Sequence, residues 1–105
     1  MSSRARKIGR DESFFREANE LEVESNWRTE PDVICECARR GCVARIHIAR
    51  AEYEQVRAHG DRFVVLPGHE DPSVEVILER HPTFLLIEKR GEAGEVAREE
   101  DPRAD

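Results

Sequence analysis

Three cysteines lie close together in the spacing C-x-C-x4-C, at Cys35, Cys37 and Cys42. An odd, clustered set differs from the even, dispersed cysteines of an oxidised secreted framework, and a thiolate is both a nucleophile and a soft metal ligand. On an extended strand, Cys35 and Cys37 point to the same face, so both sulfurs can reach one ion. Cys42 follows the stretch Ala38-Arg39-Arg40-Gly41. A turn there returns it beside Cys37 as the third corner of a tetrahedron, the geometry structural zinc prefers, and Gly41 relieves the tight return.

A fourth ligand must come from His47, His59, His69 or His81. Strand parity turns His47 away, because Cys42, Ile46 and Ile48 share the opposite face. His69 is better placed: it follows a strand and the turn Pro67-Gly68, a rigid elbow that can aim its imidazole at the three sulfurs. His81, at the end of an expected helix and before Pro82, ranks next. The metal reading is therefore a structural zinc held by Cys35, Cys37, Cys42 and His69. Two other readings of the cysteines stay open: buried reduced thiols acting as small hydrophobes, and a thiol-based redox sensor in which two of them form a disulfide.

No catalytic residue emerges. His69-Glu70-Asp71 invites comparison with zinc hydrolases and deaminases, where a catalytic glutamate closely follows a histidine ligand, but there is no P-C-x-x-C, no H-E-x-x-H and no phosphate-cradling glycine loop. Three thiolates and an imidazole would also close the coordination sphere against substrate. Glu70 and Asp71 read more simply as caps of a following helix.

The elements that must position these residues are short. Residues 1–10 carry Arg4, Arg6, Lys7 and Arg10 with little that is apolar, and predict a disordered basic leader. From Asp11, a plausible N-cap, to about Ser25 a helix is expected, with Phe14, Ala18 and Leu21 on its core face, Phe15 beside them, and Glu17, Glu20 and Glu24 toward water. Residues 32–37 and 43–48 read as an antiparallel hairpin, 50–58 as a short helix with Tyr53 and Val56 inward, and 62–66 as a strand. Asp71-Pro72 predicts the start of a helix through Val74, Ile77 and Leu78 to His81. The apolar run Phe84-Leu85-Leu86-Ile87 within 84–89 predicts the buried central strand. The tail after Gly91 is charged and expected to be disordered. Together these give an α+β domain over 11–90: about four strands in one mixed or antiparallel sheet, an N-terminal helix and two short helices.

That core is of marginal size, which is where a metal staple is most useful. Charged residues make up 38% of the 105, with a formal net charge of −6. Such a balance opposes non-specific binding to nucleic acid or anionic membrane, and the two arginines of the hairpin loop, Arg39 and Arg40, are a weak footprint against it. No apolar run suffices to span a bilayer and the N-terminus lacks a secretory core, so a cytoplasmic protein is expected.

The stretches Ile34-Cys35-Glu36-Cys37, Arg62-Phe63-Val64-Val65, Pro67-Gly68-His69-Glu70-Asp71-Pro72, Val74 to His81 and Phe15-Arg16-Glu17-Ala18-Asn19-Glu20 resemble a group of short, uncharacterised actinobacterial-type proteins with F-x-C-E-C, R-F-x-V-x-P-G-H and E-K motifs. The resemblance runs from Phe14 to about Lys89. It implies a single domain and a cysteine cluster paired with His69, and brings no activity with it. The functional expectation is a zinc-stabilised regulatory or adaptor module that binds a protein partner, with the first helix and nearby Phe14, Phe15 and Trp27 as its surface. A redox sensor and a nucleic-acid-binding zinc module are the alternatives.

Overall fold

A computed structural model describes residues 4–25, 32–37, 39 and 41–103. Three helices and five strands follow in the order α1 (Arg4–Ser25), β1 (Asp32–Ile34), β2 (Arg45–His47), α2 (Arg50–Arg57), β3 (Arg62–Val65), β4 (Glu75–Arg80), β5 (Leu85–Lys89) and α3 (Gly91–Glu99). The fold is α+β. Instead of one sheet there are two: an antiparallel β1-β2 hairpin and a three-stranded antiparallel sheet in the order β3-β5-β4. The hairpin register sets Val33 opposite Ile46 and Ile34 opposite Arg45. A backbone bond from the Glu36 N–H to the Val64 carbonyl at 2.9 Å brings the hairpin loop onto β3.

The strand read as central is central. β5 pairs with both neighbours, and Leu85, Leu86 and Ile87 are buried with Phe63, Val64 and Val65 of β3. Tyr53 and Val56 of α2 close over this core as their helical spacing requires.

β4 corrects the expected 74–81 helix. Val74, Ile77 and Leu78 have helical spacing but share no buried face, since Val74 is buried, Ile77 half-buried and Leu78 exposed. The β-branched Val74, Val76 and Ile77 suit the strand that forms, which has a register shift between Ile77 and Glu79. The polar start that looked like a helix cap is a turn: the Asp71 carboxylate accepts the Ser73 N–H at 3.0 Å, and the Val74 N–H donates to the Asp71 carbonyl at 3.1 Å.

α1 corrects the sequence reading twice. It starts at Arg4, so Asp11 is mid-helix and residues 4–10 are helical rather than a disordered leader. Its buried face is also not Phe14–Ala18–Leu21 but Gly9, Glu12, Ser13, Arg16 and Asn19, which recur at the same helical period half a turn away. Glu12, Arg16 and Asn19 on that face have partners, although the Ser13 hydroxyl and the Arg16 Nε are buried without a hydrogen bond among the described residues. Lys89, from β5, donates to both Glu12 and Glu75; Arg16 lies over the Phe63 ring at 4.7 Å and donates to the Gly60 carbonyl and, at 2.7 Å, to the Ala97 carbonyl. Burial of polar groups is tolerable only with such pairing, which hydrophobic periodicity does not register. Burial raises the Glu12 pKa well above the carboxylate range, against the pull of Lys89.

The tail forms α3, a correction to the expected disorder. Its inward residues Ala93, Gly94, Val96 and Ala97 are small and apolar and pack on α1, with Arg6 reaching Glu95 and Glu99. Gly9 lies against α3: a Cβ there would lie 2.8 Å from the Ala93 carbonyl oxygen and 3.0 Å from the Val96 Cβ. Although alanine is the better helix former by about 1 kcal/mol, Gly9→Ala is expected to lower stability by about 1–3 kcal/mol in urea denaturation because the helices must part. A variant as stable as the parent would show that α3 is not seated there. Trp27, Pro31 and Arg40 lie outside the described residues.

Candidate metal centre

The hairpin and the β3–β4 connection build one site. β1 and β2 are shorter than the expected 32–37 and 43–48, because the chain turns at Glu36 and Cys37. Cys35 directly follows β1, its N–H donating to the Ala44 carbonyl at 2.9 Å, and the turn brings Cys37 to the same side. The loop then turns back: the Cys42 N–H bonds the Arg39 carbonyl at 2.9 Å, with Gly41 at φ +79°, a region that favours glycine. On the other side β3 ends in the elbow expected from Pro67-Gly68. The His69 N–H closes it onto the Leu66 carbonyl at 2.9 Å, with Gly68 at φ +89°.

These elements bring Cys35, Cys37, Cys42 and His69 together, all four ligand atoms within 4.8 Å of one another. The Nδ1 of His69 lies 3.7 Å from Cys35 Sγ, 3.4 Å from Cys37 Sγ and 3.7 Å from Cys42 Sγ. One imidazole nitrogen offers a single proton or a single lone pair, so it cannot hydrogen-bond to three sulfurs at once. A shared ion accounts for the near-equal distances. With sulfur at about 2.3 Å and nitrogen at about 2.0 Å from a tetrahedral centre, the sulfur-to-nitrogen edges come to about 3.5 Å. The donor set could therefore hold a metal.

Backbone donors support the sulfurs. The Leu66 N–H points at Cys35 Sγ at 3.2 Å and the Arg39 N–H at Cys37 Sγ at 3.4 Å, a pattern that favours thiolates. Between themselves, Cys35 and Cys37 share a proton: the hydrogen bond from Cys35 draws the Cys37 pKa down to about 4, while the same bond and burial push Cys35 up. Ionising Cys35 beside the Cys37 thiolate thus calls for a cation between them, and metal loading should release protons.

Glu36, between the two ligands, faces the opposite way and is fully buried. Its carboxylate accepts from the Asn19 amide at 2.8 Å, the Tyr53 hydroxyl at 2.9 Å and the Val64 N–H at 3.0 Å, so one side chain pins α1, α2 and β3 to the strand that carries the ligands. Asn19 completes the node by pairing with both the N–H and the carbonyl of Ile34. Burial raises the Glu36 pKa, and the charge of Arg57 opposes it. Sequence reasoning missed this node; the available signal was strand parity, which puts Glu36 inward once Cys35 and Cys37 are taken as ligands of one ion.

The other histidines stand apart. His47 Nδ1 pairs with Asp32 Oδ1 at 3.0 Å on the exposed face, as parity required. His81 stacks on Phe84 at 4.3 Å and meets Glu79 at 2.8 Å, and His59 is exposed. Glu70 and Asp71 serve turns rather than a helix, Glu70 accepting the Gly68 N–H at 2.8 Å. Arg39 donates to the Gly68 carbonyl at 2.8 Å, fastening the hairpin loop to the His69 elbow. His69→Ala should therefore weaken metal retention about a hundredfold or more, since even outer partners of a ligand are worth about 10–100-fold. Competition against a chromophoric chelator measures this, and His47→Ala and His81→Ala should be indistinguishable from the parent. A loss at His81 with none at His69 would refute the assigned ligand set.

Among the described residues no helix is long and apolar enough to cross a membrane. Compared with models of known families, with curated proteins and with solved structures, the chain gives no match.

Proposed function

We propose that the chain is a protein-binding module whose fold is clamped by a structural zinc ion on Cys35, Cys37, Cys42 and His69. The observation that carries the clamp is the placement of His69 Nδ1 at 3.4–3.7 Å from all three sulfurs. Three soft thiolates with one imidazole suit zinc over hard cations, and four protein ligands leave no open position for substrate, so zinc is a fastener here and not a reagent. It joins the hairpin to the β3–β4 elbow, two pieces otherwise linked by few backbone bonds.

Support for a binding role comes from α1. Phe14 is 67% exposed and Leu21 63%, on the face away from the core, and two large apolar side chains on one helix stripe favour a partner over water. A nucleic-acid partner is opposed by the net charge of −6 and by the engagement of Arg39 with Gly68. A second reading, a redox sensor, draws on the same geometry: three free thiols whose sulfurs lie within 4.8 Å of one another, with the hydrogen bond from Cys35 lowering the Cys37 pKa.

A photo-crosslinking residue at position 14 of the intact chain, expressed in cells, tests the binding role. Adducts to protein are expected in the parent and lost with Cys35→Ser. No adduct in either chain would refute it, and a protein isolated without metal but with a ready Cys–Cys disulfide would favour the redox reading.

A further inference from the structure

The outward stripe of α1 has a pattern of its own. Lys7, Arg10, Phe14, Glu17 and Leu21 are all exposed and recur at alternating spacings of three and four, the seam of a helix made to lie along another helix. Phe14, Glu17, Ala18 and Leu21 border a shallow groove of about 230 Å³. Along the stripe itself the charge changes at Phe14: Lys7, which also meets Asp11 at 2.7 Å, and Arg10 come before it, and Glu17 after it.

We propose that the partner on this face is a second copy of the chain, its α1 lying antiparallel to the first about a two-fold axis at Phe14. The inference rests on the protein-binding reading above and names its partner. An isologous contact needs a self-complementary patch, and this stripe is one. Turned end for end about Phe14, it sets Phe14 on Phe14, Arg10 beside Glu17 and Ala18 of the other copy, and Lys7 beside Leu21, where the lysine stem covers the apolar side chain. Each Arg10–Glu17 contact then occurs twice. Parallel pairing would set Lys7 on Lys7, Arg10 on Arg10 and Glu17 on Glu17, so the charges of the stripe select the antiparallel arrangement.

Sedimentation equilibrium of the full, metal-loaded chain over the micromolar range tests this. The mass is expected to rise from one chain to two with concentration, and Phe14→Glu to remain at one while keeping its metal and its helix content. Arg10→Glu and Glu17→Arg should each weaken association about tenfold or more by opposing like charges, and an equimolar mixture of these two variants should restore it, because opposite charges then meet at both contacts. A parent that sediments as one chain throughout, or a Phe14→Glu variant that associates like the parent, overturns the proposal. The position-14 crosslinker separates the two levels. An adduct of two copies supports the dimer; an adduct with a different polypeptide overturns the second copy and leaves the binding role standing; no adduct overturns both.

Discussion

Removing the metal with a strong chelator is expected to unfold the chain as a whole, with loss of far-UV helix signal, and Cys35→Ser is expected to do the same at ordinary metal concentrations. The magnitudes favour this. A structural zinc site contributes about 10–16 kcal/mol of binding free energy that is realised only in the folded chain, whereas an entire small domain has a net stability of about 5–15 kcal/mol. Nothing else could replace it locally: β1 and β2 have three residues each, and an isolated two-stranded hairpin is marginal in water. Loss should spread because the chain segment holding Cys35 and Cys37 also holds Glu36, which joins α1, α2 and β3. A chelated protein that keeps its denaturant midpoint would show that the cluster is not a clamp.

Glu36→Ala should destabilise the metal-loaded protein by about 3–5 kcal/mol, the cost of breaking a buried charged network from one side. Three donors lose their acceptor: the Asn19 amide, the Tyr53 hydroxyl and the Val64 N–H. Glu36→Gln is the sharper variant. It keeps the shape but turns one acceptor into a donor, and either orientation of the amide sets its NH2 against the Val64 N–H or the Asn19 NH2. One buried donor is left unpaired, which costs about 1–3 kcal/mol. Urea denaturation with zinc in excess measures both, and a Glu36→Gln variant equal to the parent would mean that the node is not closed as described.

The metal centre was legible in the sequence because its geometry is local. The two-residue spacing of Cys35 and Cys37, a four-residue loop to Cys42 and a Pro-Gly elbow before His69 keep the four side chains close, although β1 ends at Ile34 and Cys37 stands in a turn and not on the expected strand. The core of β3 and β5 was legible because it is apolar. What could not be read was burial driven by pairing. The inward face of α1 carries Glu12, Arg16 and Asn19, whose partners Lys89, Ala97 and Glu36 are distant in the chain, so the exposed stripe with Phe14 and Leu21 gave the stronger hydrophobic signal. α3 was hidden for a related reason, because close helix packing selects small residues such as Ala93, Gly94 and Ala97 that contribute little apolar area. β4 was lost because the spacing of Val74, Ile77 and Leu78 imitates a helix, whereas in the strand Leu78 faces out.

The most direct test of the clamp is X-ray absorption at the zinc edge on the full chain purified without oxygen. The expected result is one zinc per chain bound by three sulfurs at about 2.3 Å and one nitrogen at about 2.0 Å. A chain that holds no zinc, or one whose zinc has a different ratio of sulfur to nitrogen, would contradict it.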